Sequence, residues 1–380
     1  MKKIAVVTVG RSDYGILQPV LARIVATPGL QLQLIVAGAH FVEKFGNTVT
    51  AIERDGYPIA ARIPLPEDSD TPLATARAMG LATAAFAEAY AQLQPDILLL
   101  LGDRFEMHAA AVAAVPFALP MAHIHGGELT LGAIDDAFRH SITKLSHLHF
   151  VTTESYARRV MQMGEEPWRV TVSGAPALDH LRGMQFAPLA EFATRHQLPL
   201  AEPPLLVTFH PVTLGAEPIK ELLAALATTD RSILFTLPNA DHGHQAIIRQ
   251  IHDFTATHPH AHAVANLGTR DYFSAMAFAA AMVGNSSSGI IEAASFELPV
   301  VNIGRRQEGR TRARNVIDVA CSREEINDGL SRALAPDFRE SLRGLVNPFG
   351  SGDAATIIVE RLQSLALDSR LLFKHFQDQL

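Results

Sequence analysis

Short apolar runs alternate with amphipathic stretches from one end of the chain to the other. In the first half, KIAVVTV (3–9), LQLIVAG (32–38), DILLLLG (96–102), PMAHIHG (120–126), LHFVTT (148–153) and VTVSG (170–174) are rich in Val, Ile and Leu without clean alternation. A half-exposed strand alternates apolar with polar residues, whereas a strand buried on both faces of a parallel sheet does not. These six runs therefore predict parallel strands with helices between them. The longest helix candidate is the Ala-rich segment 71–94, which Pro95 ends.

The pattern breaks after about 183. Pro188, Pro199, Pro203 and Pro204 mark 184–204 as an interdomain connection. The alternation then resumes with LLVTFHP (205–211), SILFTLP (232–238), HAVANLG (262–268), AMVGNS (281–286) and PVVNIG (299–304). Two successive βα arrays predict two Rossmann-like, doubly wound α/β domains, 1–183 and 205–351, facing each other across a cleft. The segment 352–380 reads as a helix packing back on the N-terminal domain.

Composition narrows the function classes. The 380 residues are 48% hydrophobic and 19% charged, enough for two buried cores. A net charge of −7 argues against wrapping nucleic acid, so an anionic ligand must be held by local groups. The single cysteine, Cys321, allows no intrachain disulfide and fits a reducing, cytoplasmic compartment. The basic, apolar start MKKIAVVTVG runs straight into Arg11-Ser12-Asp13 without a small-residue cleavage site, so it reads as a first strand. No apolar run approaches the roughly 20 residues of a membrane span.

In open α/β sheets, ligands sit at the carboxyl ends of the strands, so the loops there carry the candidate chemistry. In GRSDYGI (10–16), Arg11 stands where an anion would meet a helix N-terminus, and Ser12 or Asp13 can cap that helix. In LGDRFEMH (101–108), Asp103 is a carboxylate with a basic neighbour, Arg104. HIHGGELTLGAIDDAFRH (123–140) brings Gly126-Gly127 for close backbone approach, then Glu128, Asp135 and Asp136 as proton-transfer groups. Arg139 is spaced to pair with Asp135 or Asp136. His123, His125 and His140 raise a zinc question, but the spacing fits no common structural zinc pattern and no cysteine joins them, so no metal is expected. His123 and His125 fall on one face of the predicted strand.

In the second half, His210 ends the first strand, and Asn239 and Asp241 occupy a strand-end loop of ordinary turn formers. The most informative stretch is VGNSSSGIIEAASFELPVVNIGRRQEGR (283–310). Small polar residues at 285–288, with Gly289 opening a helix, offer backbone N–H groups to an anion. Glu292 can accept hydrogen bonds from a sugar ring, and Arg305, Arg306 and Arg310 follow. Together they outline a nucleotide-diphosphate pocket, although neither a P-loop nor a G-x-G-x-x-G fingerprint is present.

Taken in order, RSDYGI, LGDRFE, HIHGGE with the following ID-D-x-x-RH, FHPVTL, NAD, GNSSSGIIE and NIGRRQEGR closely resemble the hydrolysing UDP-N-acetylglucosamine 2-epimerases, above all the bacterial sialic-acid branch. The resemblance covers about 1–360. It implies a GT-B-like fold, a homodimer, a UDP-sugar substrate and no cofactor. By matching motifs, Arg11, His210, Ser286, Ser287, Glu292 and Arg306 would contact UDP. Asp103, Glu128, Asp135, Arg139 and His210 would line the sugar, with Arg104, His125 and Asn239 also binding substrate. The implied chemistry eliminates UDP to give a 2-acetamidoglucal, adds water at C1 and returns a proton to C2 from the opposite face. That needs a base, an acid and a firm hold on the departing diphosphate.

The chain departs from many relatives, which read HIEGGE where it has His125, and its loop after Glu128 is one residue longer. The proton work then falls to His125, to Glu128, or to Asp103 and Asp135, the last pair being favoured. The expected function is hydrolysis of UDP-N-acetylglucosamine to N-acetylmannosamine for sialic acid synthesis. The alternatives are the same reaction on UDP-N,N′-diacetylbacillosamine, feeding legionaminic acid, and a GT-B glycosyltransferase.

Overall fold

The computed structural model describes residues 1–42, 48–66, 71–131, 133–212, 217–238, 243–265 and 267–378. They form two compact units. Unit 1 is Met1–Glu128, Asp135–Arg182 and Phe349–Leu380, and unit 2 is Leu129–Ile134 with Gly183–Pro348.

Unit 1 is built on seven strands: β1 Lys2–Thr8, β2 Leu30–Ala37, β3 Ile59–Ile63, β4 Ile97–Leu101, β5 Met121–Ile124, β6 Leu148–Val151 and β7 Val170–Val172. All pairs are parallel, in the order β3-β2-β1-β4-β5-β6-β7. The central strands β4, β5 and β6 are buried at every residue, as their unbroken apolar runs require. The edge strand β3 has only one buried residue, Ile63. That weak signal is why the apolar pattern did not reveal it. The Ala-rich helix spans Pro72–Leu93, with the Thr71 hydroxyl capping Ala74 N–H at 3.2 Å and Gln94 closing it in the left-handed region.

Unit 2 is built on six strands: β8 Leu205–Thr208, β9 Ile233–Thr236, β10 Ala261–Val264, β11 Ala281–Gly284, β12 Val300–Ile303 and β13 Val316–Val319. They too are all parallel, in the order β10-β9-β8-β11-β12-β13. The edge strand β13, interrupted by exposed Asp318, is the second strand without a clear sequence signal. The proline-rich segment 184–204 carries its own helix, Leu189–Arg195, and Ala187 N–H bonds Ser274 Oγ at 2.9 Å within unit 2.

The residues from Phe349 onward complete unit 1. Lys2 Nζ donates to the carbonyls of Leu362, Gln363 and Leu365, and Asp179 caps the N–H groups of Ala354 and Ala355. The Arg169 side chain is fully buried and donates to the carbonyls of Arg370, Leu371 and Phe373 while pairing with Glu166 at 2.6 Å. Beside it, Glu165 is buried among Lys144, His149 and Lys374. Burial alone would raise its pKa, but hydrogen bonds from His149, Lys144 and Lys374 outweigh that and bring it from 4.5 to about 2. A carboxyl whose pKa is lowered by folding stabilises the protein above its unfolded pKa and loses that contribution as pH falls through the folded one. Unit 1 should therefore lose thermal stability between about pH 4.5 and about 2. Melting temperatures across that range should fall less steeply for Lys374→Met than for the unaltered chain. Parallel curves would exclude this cluster as the cause.

Candidate active site

The strand order of unit 1 reverses between β1 and β4, and that of unit 2 between β8 and β11. At such a point two neighbouring loops leave the sheet in opposite directions and open a crevice at the strand ends. The segments there are Val9–Gly10 with the first turn of the next helix and Gly102–Arg104 in unit 1, and Phe209-His210 and Asn285-Ser286 with the helix start that follows in unit 2. Each holds residues singled out from the sequence.

In unit 1, Gly102 takes a positive φ of 76° and turns Asp103 off β4. The Asp103 carboxylate pairs with the Arg139 guanidinium, whose other arm donates to His125 O at 2.8 Å. Arg139 is 3% exposed, so this charge is buried. Burial opposes the charged form, but Asp103, Glu128, Asp136 and Asp135 outweigh it and raise the arginine's pKa. The partner of Arg139 is thus found across the sheet as well as in the near-helical carboxylates expected from spacing. Asp135 opens the helix Asp135–Leu145 and is half-buried. Arg104, the N-cap residue of the helix Phe105–Ala114, lies 3.3 Å from Glu106.

Arg11 is exposed at the start of the helix Arg11–Ala26. Neither Ser12 nor Asp13 caps that helix; its N-cap is Gly10, with no side-chain hydrogen bond. Asp13 is instead buried, and its pKa is pushed up to about 7, chiefly by burial, with Arg104 opposing and Glu106 and Asp103 adding to the rise. Such a carboxyl exchanges a proton near neutrality. The sequence pointed only to a capping role for it.

His125 does not continue the face of β5. The strand ends at Ile124, and His125 has φ 66°, a left-handed backbone that costs a non-glycine residue about 1–2 kcal/mol. His123 has other partners, with Nε2 on Gly102 O at 2.8 Å and Nδ1 on Thr143 at 3.1 Å. His125 Nδ1 lies 2.7 Å from Glu128 Oε1, and the Thr152 hydroxyl donates to the same oxygen at 3.1 Å. The glycines between them are needed. A Cβ on Gly127 would stand 2.7 Å from Tyr156 O, and Arg159 donates to Gly127 O.

In unit 2, the Asn285 side chain bridges the backbone of His210, accepting from its N–H at 2.7 Å and donating to its carbonyl at 2.9 Å. Asn285 O in turn accepts from Arg306 at 3.2 Å and from Gln307 at 2.9 Å. The helix Ser287–Ile291 is opened by Ser286, whose hydroxyl caps Ser288 N–H at 3.3 Å; Gly289 lies inside it, against Val300. Ser286 is buried, Ser287 half-buried, and Glu292 closes this helix. Tyr272 lies beside Ser288, Thr208 and Ser286, and burial pushes its pKa up to about 12. Nothing in the sequence marked Tyr272, which sits in the middle of the helix Gly268–Phe278. Arg310 reaches Leu129 O at 2.8 Å and the Thr130 hydroxyl at 3.3 Å, both in the unit 2 segment Leu129–Ile134. Asn239 and Asp241 lie outside the described residues. Among the described residues no three His, Cys, Asp or Glu side chains are grouped to hold a metal ion, and no helix is long and apolar enough to cross a membrane.

Residues 22–363 match the family model described as UDP-N-acetylglucosamine 2-epimerase. Over 387 residues, 99% of both chains, the sequence is 37% identical to the "GDP/UDP-N,N'-diacetylbacillosamine 2-epimerase (hydrolyzing)" of Campylobacter jejuni. It is 36% identical to the "UDP-N,N'-diacetylbacillosamine 2-epimerase (hydrolyzing)" of Legionella pneumophila, over 98% of this chain and 99% of that one. The fold matches a crystal structure of the Neisseria meningitidis UDP-GlcNAc 2-epimerase bound to UDP-GlcNAc, with a TM-score of 0.79 at 19% identity, covering 95% of this chain and 99% of the other. Two parallel-sheet α/β units of the GT-B-like kind, and full-length identity to enzymes of this name, place the chain in the UDP-N-acetylglucosamine 2-epimerase family.

Proposed function

We propose that this protein is a hydrolysing 2-epimerase of a UDP-linked 2-acetamido sugar, and that its substrate is UDP-N,N′-diacetylbacillosamine. The observation that supports the reaction type is the concentration of proton-transfer groups at the strand ends of unit 1: Asp103 on buried Arg139, and His125 on buried Glu128. A glycosyltransferase must hold its donor and admit an acceptor, but has no use for acid–base groups around C2 of the donor sugar. The motifs alone put UDP-N-acetylglucosamine first. The names of the two full-length relatives favour the diacetylated sugar. UDP-N-acetylglucosamine, giving N-acetylmannosamine for sialic acid synthesis, is the second reading, supported by the family description.

In this proposal Arg11, Ser286, Ser287, Glu292 and Arg306 hold UDP, and Arg104, His125 and Asn239 belong to the substrate-binding set. Arginines and backbone N–H groups offset the charge that grows on the diphosphate as the C1–O bond breaks. Asp103, Glu128, Asp135, Arg139 and His210 serve the sugar side, where one group removes the C2 proton and another returns it from the opposite face. Asp13, whose pKa burial pushes up to about 7 with Asp103 adding to the rise, lies close to these groups. The same reading includes a homodimer in the cytoplasm. Leu73, Leu81, Val112, Val115 and Phe117 are apolar side chains left exposed that a second copy would cover.

The test is incubation of the protein with each UDP-sugar in deuterated water, without any acceptor, followed by NMR. UDP and a free 2-epimeric sugar carrying deuterium at C2 should appear, faster from the diacetylated substrate. Absence of UDP release from every UDP-2-acetamido sugar would sink the reading. UDP release without deuterium at C2 would sink the epimerase part of it.

A further inference from the structure

Five non-glycine residues among those described have a positive φ: Gln94, Ala118, His125, Gln197 and Glu297. Four of them close helical segments, where a left-handed residue satisfies the last carbonyls. His125 does not. It follows directly on β5, and its strained backbone is held by named contacts: His125 N–H on Phe150 O at 3.0 Å, and Arg139 on His125 O at 2.8 Å. Strain that the surroundings over-determine in this way is characteristic of functional positions.

What the strain achieves is visible in the ring. His125 is 6% exposed and Glu128 1%, and their 2.7 Å contact is made through Nδ1. Glu128 Oε1 accepts from Thr152 as well, so it acts as an acceptor towards the imidazole. Nδ1 then carries the ring proton, and Nε2 is left with a bare lone pair. That Nε2 is buried and, among the described residues, has no hydrogen-bond partner. A buried imidazole nitrogen without a partner leaves an acceptor unsatisfied, a cost that a protein sustains where a ligand is to supply the missing donor.

Resting on the proposed reaction, we infer that His125 is the base that removes the C2 proton, with Nε2 as the working atom and Glu128 as its positioning residue. Nε2 takes the C2 proton, the C2–H electron pair becomes the C1=C2 double bond, and the C1–O pair departs with UDP. The imidazolium formed is offset by the Glu128 carboxylate through Nδ1–H and later passes its proton to solvent. Water adds its oxygen to C1 and gives up one proton to solvent, while a different group returns a proton to C2 from the opposite face. Asp103 and Asp135 are thereby left to the return step, and His125 moves from binding substrate to reacting with it.

The experiment compares the unaltered chain with His125→Gly and Glu128→Gln, measuring UDP release and C2 deuterium exchange with and without added imidazole. Glycine suits the left-handed backbone and vacates the space of the ring, so the fold is spared, which a melting curve verifies. The expected result is that His125→Gly loses at least about a hundredfold in kcat with little change in KM, and that free imidazole restores part of it. Glu128→Gln should also lose kcat at unchanged KM, and imidazole should not help, because its ring is still in place. Turnover of His125→Gly close to that of the unaltered chain overturns the assignment. So does a loss that imidazole leaves untouched, which would make His125 structural. An unaltered chain that releases no UDP would instead overturn the proposed function itself.

Discussion

Asp103→Asn should lose at least about a hundredfold in turnover while still binding UDP, the usual scale for removing a group that moves a proton. Asparagine keeps the shape of the side chain and one acceptor for Arg139. It cannot take or give a proton, and it removes the negative charge facing a buried guanidinium. Two effects then add. The proton-transfer capacity at the end of β4 disappears, and Arg139, which also holds His125 O, loses its ionic anchor. UDP binding is spared because the residues proposed to hold it lie mostly in unit 2, which does not contain Asp103. Calorimetric titration with UDP and a coupled assay of UDP release separate the two effects. Turnover within about tenfold of the unaltered chain would remove Asp103 from the mechanism.

Gly284→Ala should abolish UDP binding by breaking unit 2 at its centre. Gly284 ends β11 at φ 136°, a backbone conformation reserved for glycine, and lies directly against Thr208 of β8. A Cβ there would overlap the Thr208 carbonyl, which is backbone in the middle of the sheet and cannot swing aside. The same carbonyl accepts from Asn285 N–H at 3.2 Å, and Asn285 fixes His210. The clash therefore separates the two strands at the point where the candidate UDP residues leave them. A loss on the order of 4 kcal/mol or more is expected, since strain and broken pairing coincide at one site. Thermal unfolding should show an early transition from unit 2, and UDP should no longer raise it. A melting curve unchanged by the substitution would show that β8 and β11 can part without loss.

Much of this was legible in the sequence because it follows from burial. Unbroken apolar runs marked the strands that have helices on both faces, and Asp103, His125, His210 and Asn285 all stand within two residues of a strand's carboxyl end. The two strands without a clear signal, Ile59–Ile63 and Val316–Val319, are edge strands that are only partly buried, so their composition carries little pattern. Local spacing was a poorer guide to partners. It could suggest Asp135 and Asp136 for Arg139, because they share a helix turn, but not Asp103, which is 36 residues away. It placed His125 on the face of a strand, since a left-handed residue after a strand has no periodic signature. It also missed Tyr272 and the burial of Asp13, which depend on which loops fold together and not on neighbours in the chain.

The placement of Phe349–Leu380 within unit 1 bears on the order in which the molecule is made. Unit 2 apart from Leu129–Ile134 is one continuous stretch, so its sheet can close while synthesis is still under way. Unit 1 must wait for Phe349–Leu380, because carbonyls that help satisfy buried Arg169 and one of the two lysines on buried Glu165 emerge only after the whole of unit 2. Until then the Arg169 guanidinium has only Glu166 and His147 O, and the Glu165 carboxylate only Lys144 and His149, so the domain proposed to carry the proton chemistry is the later of the two to become stable.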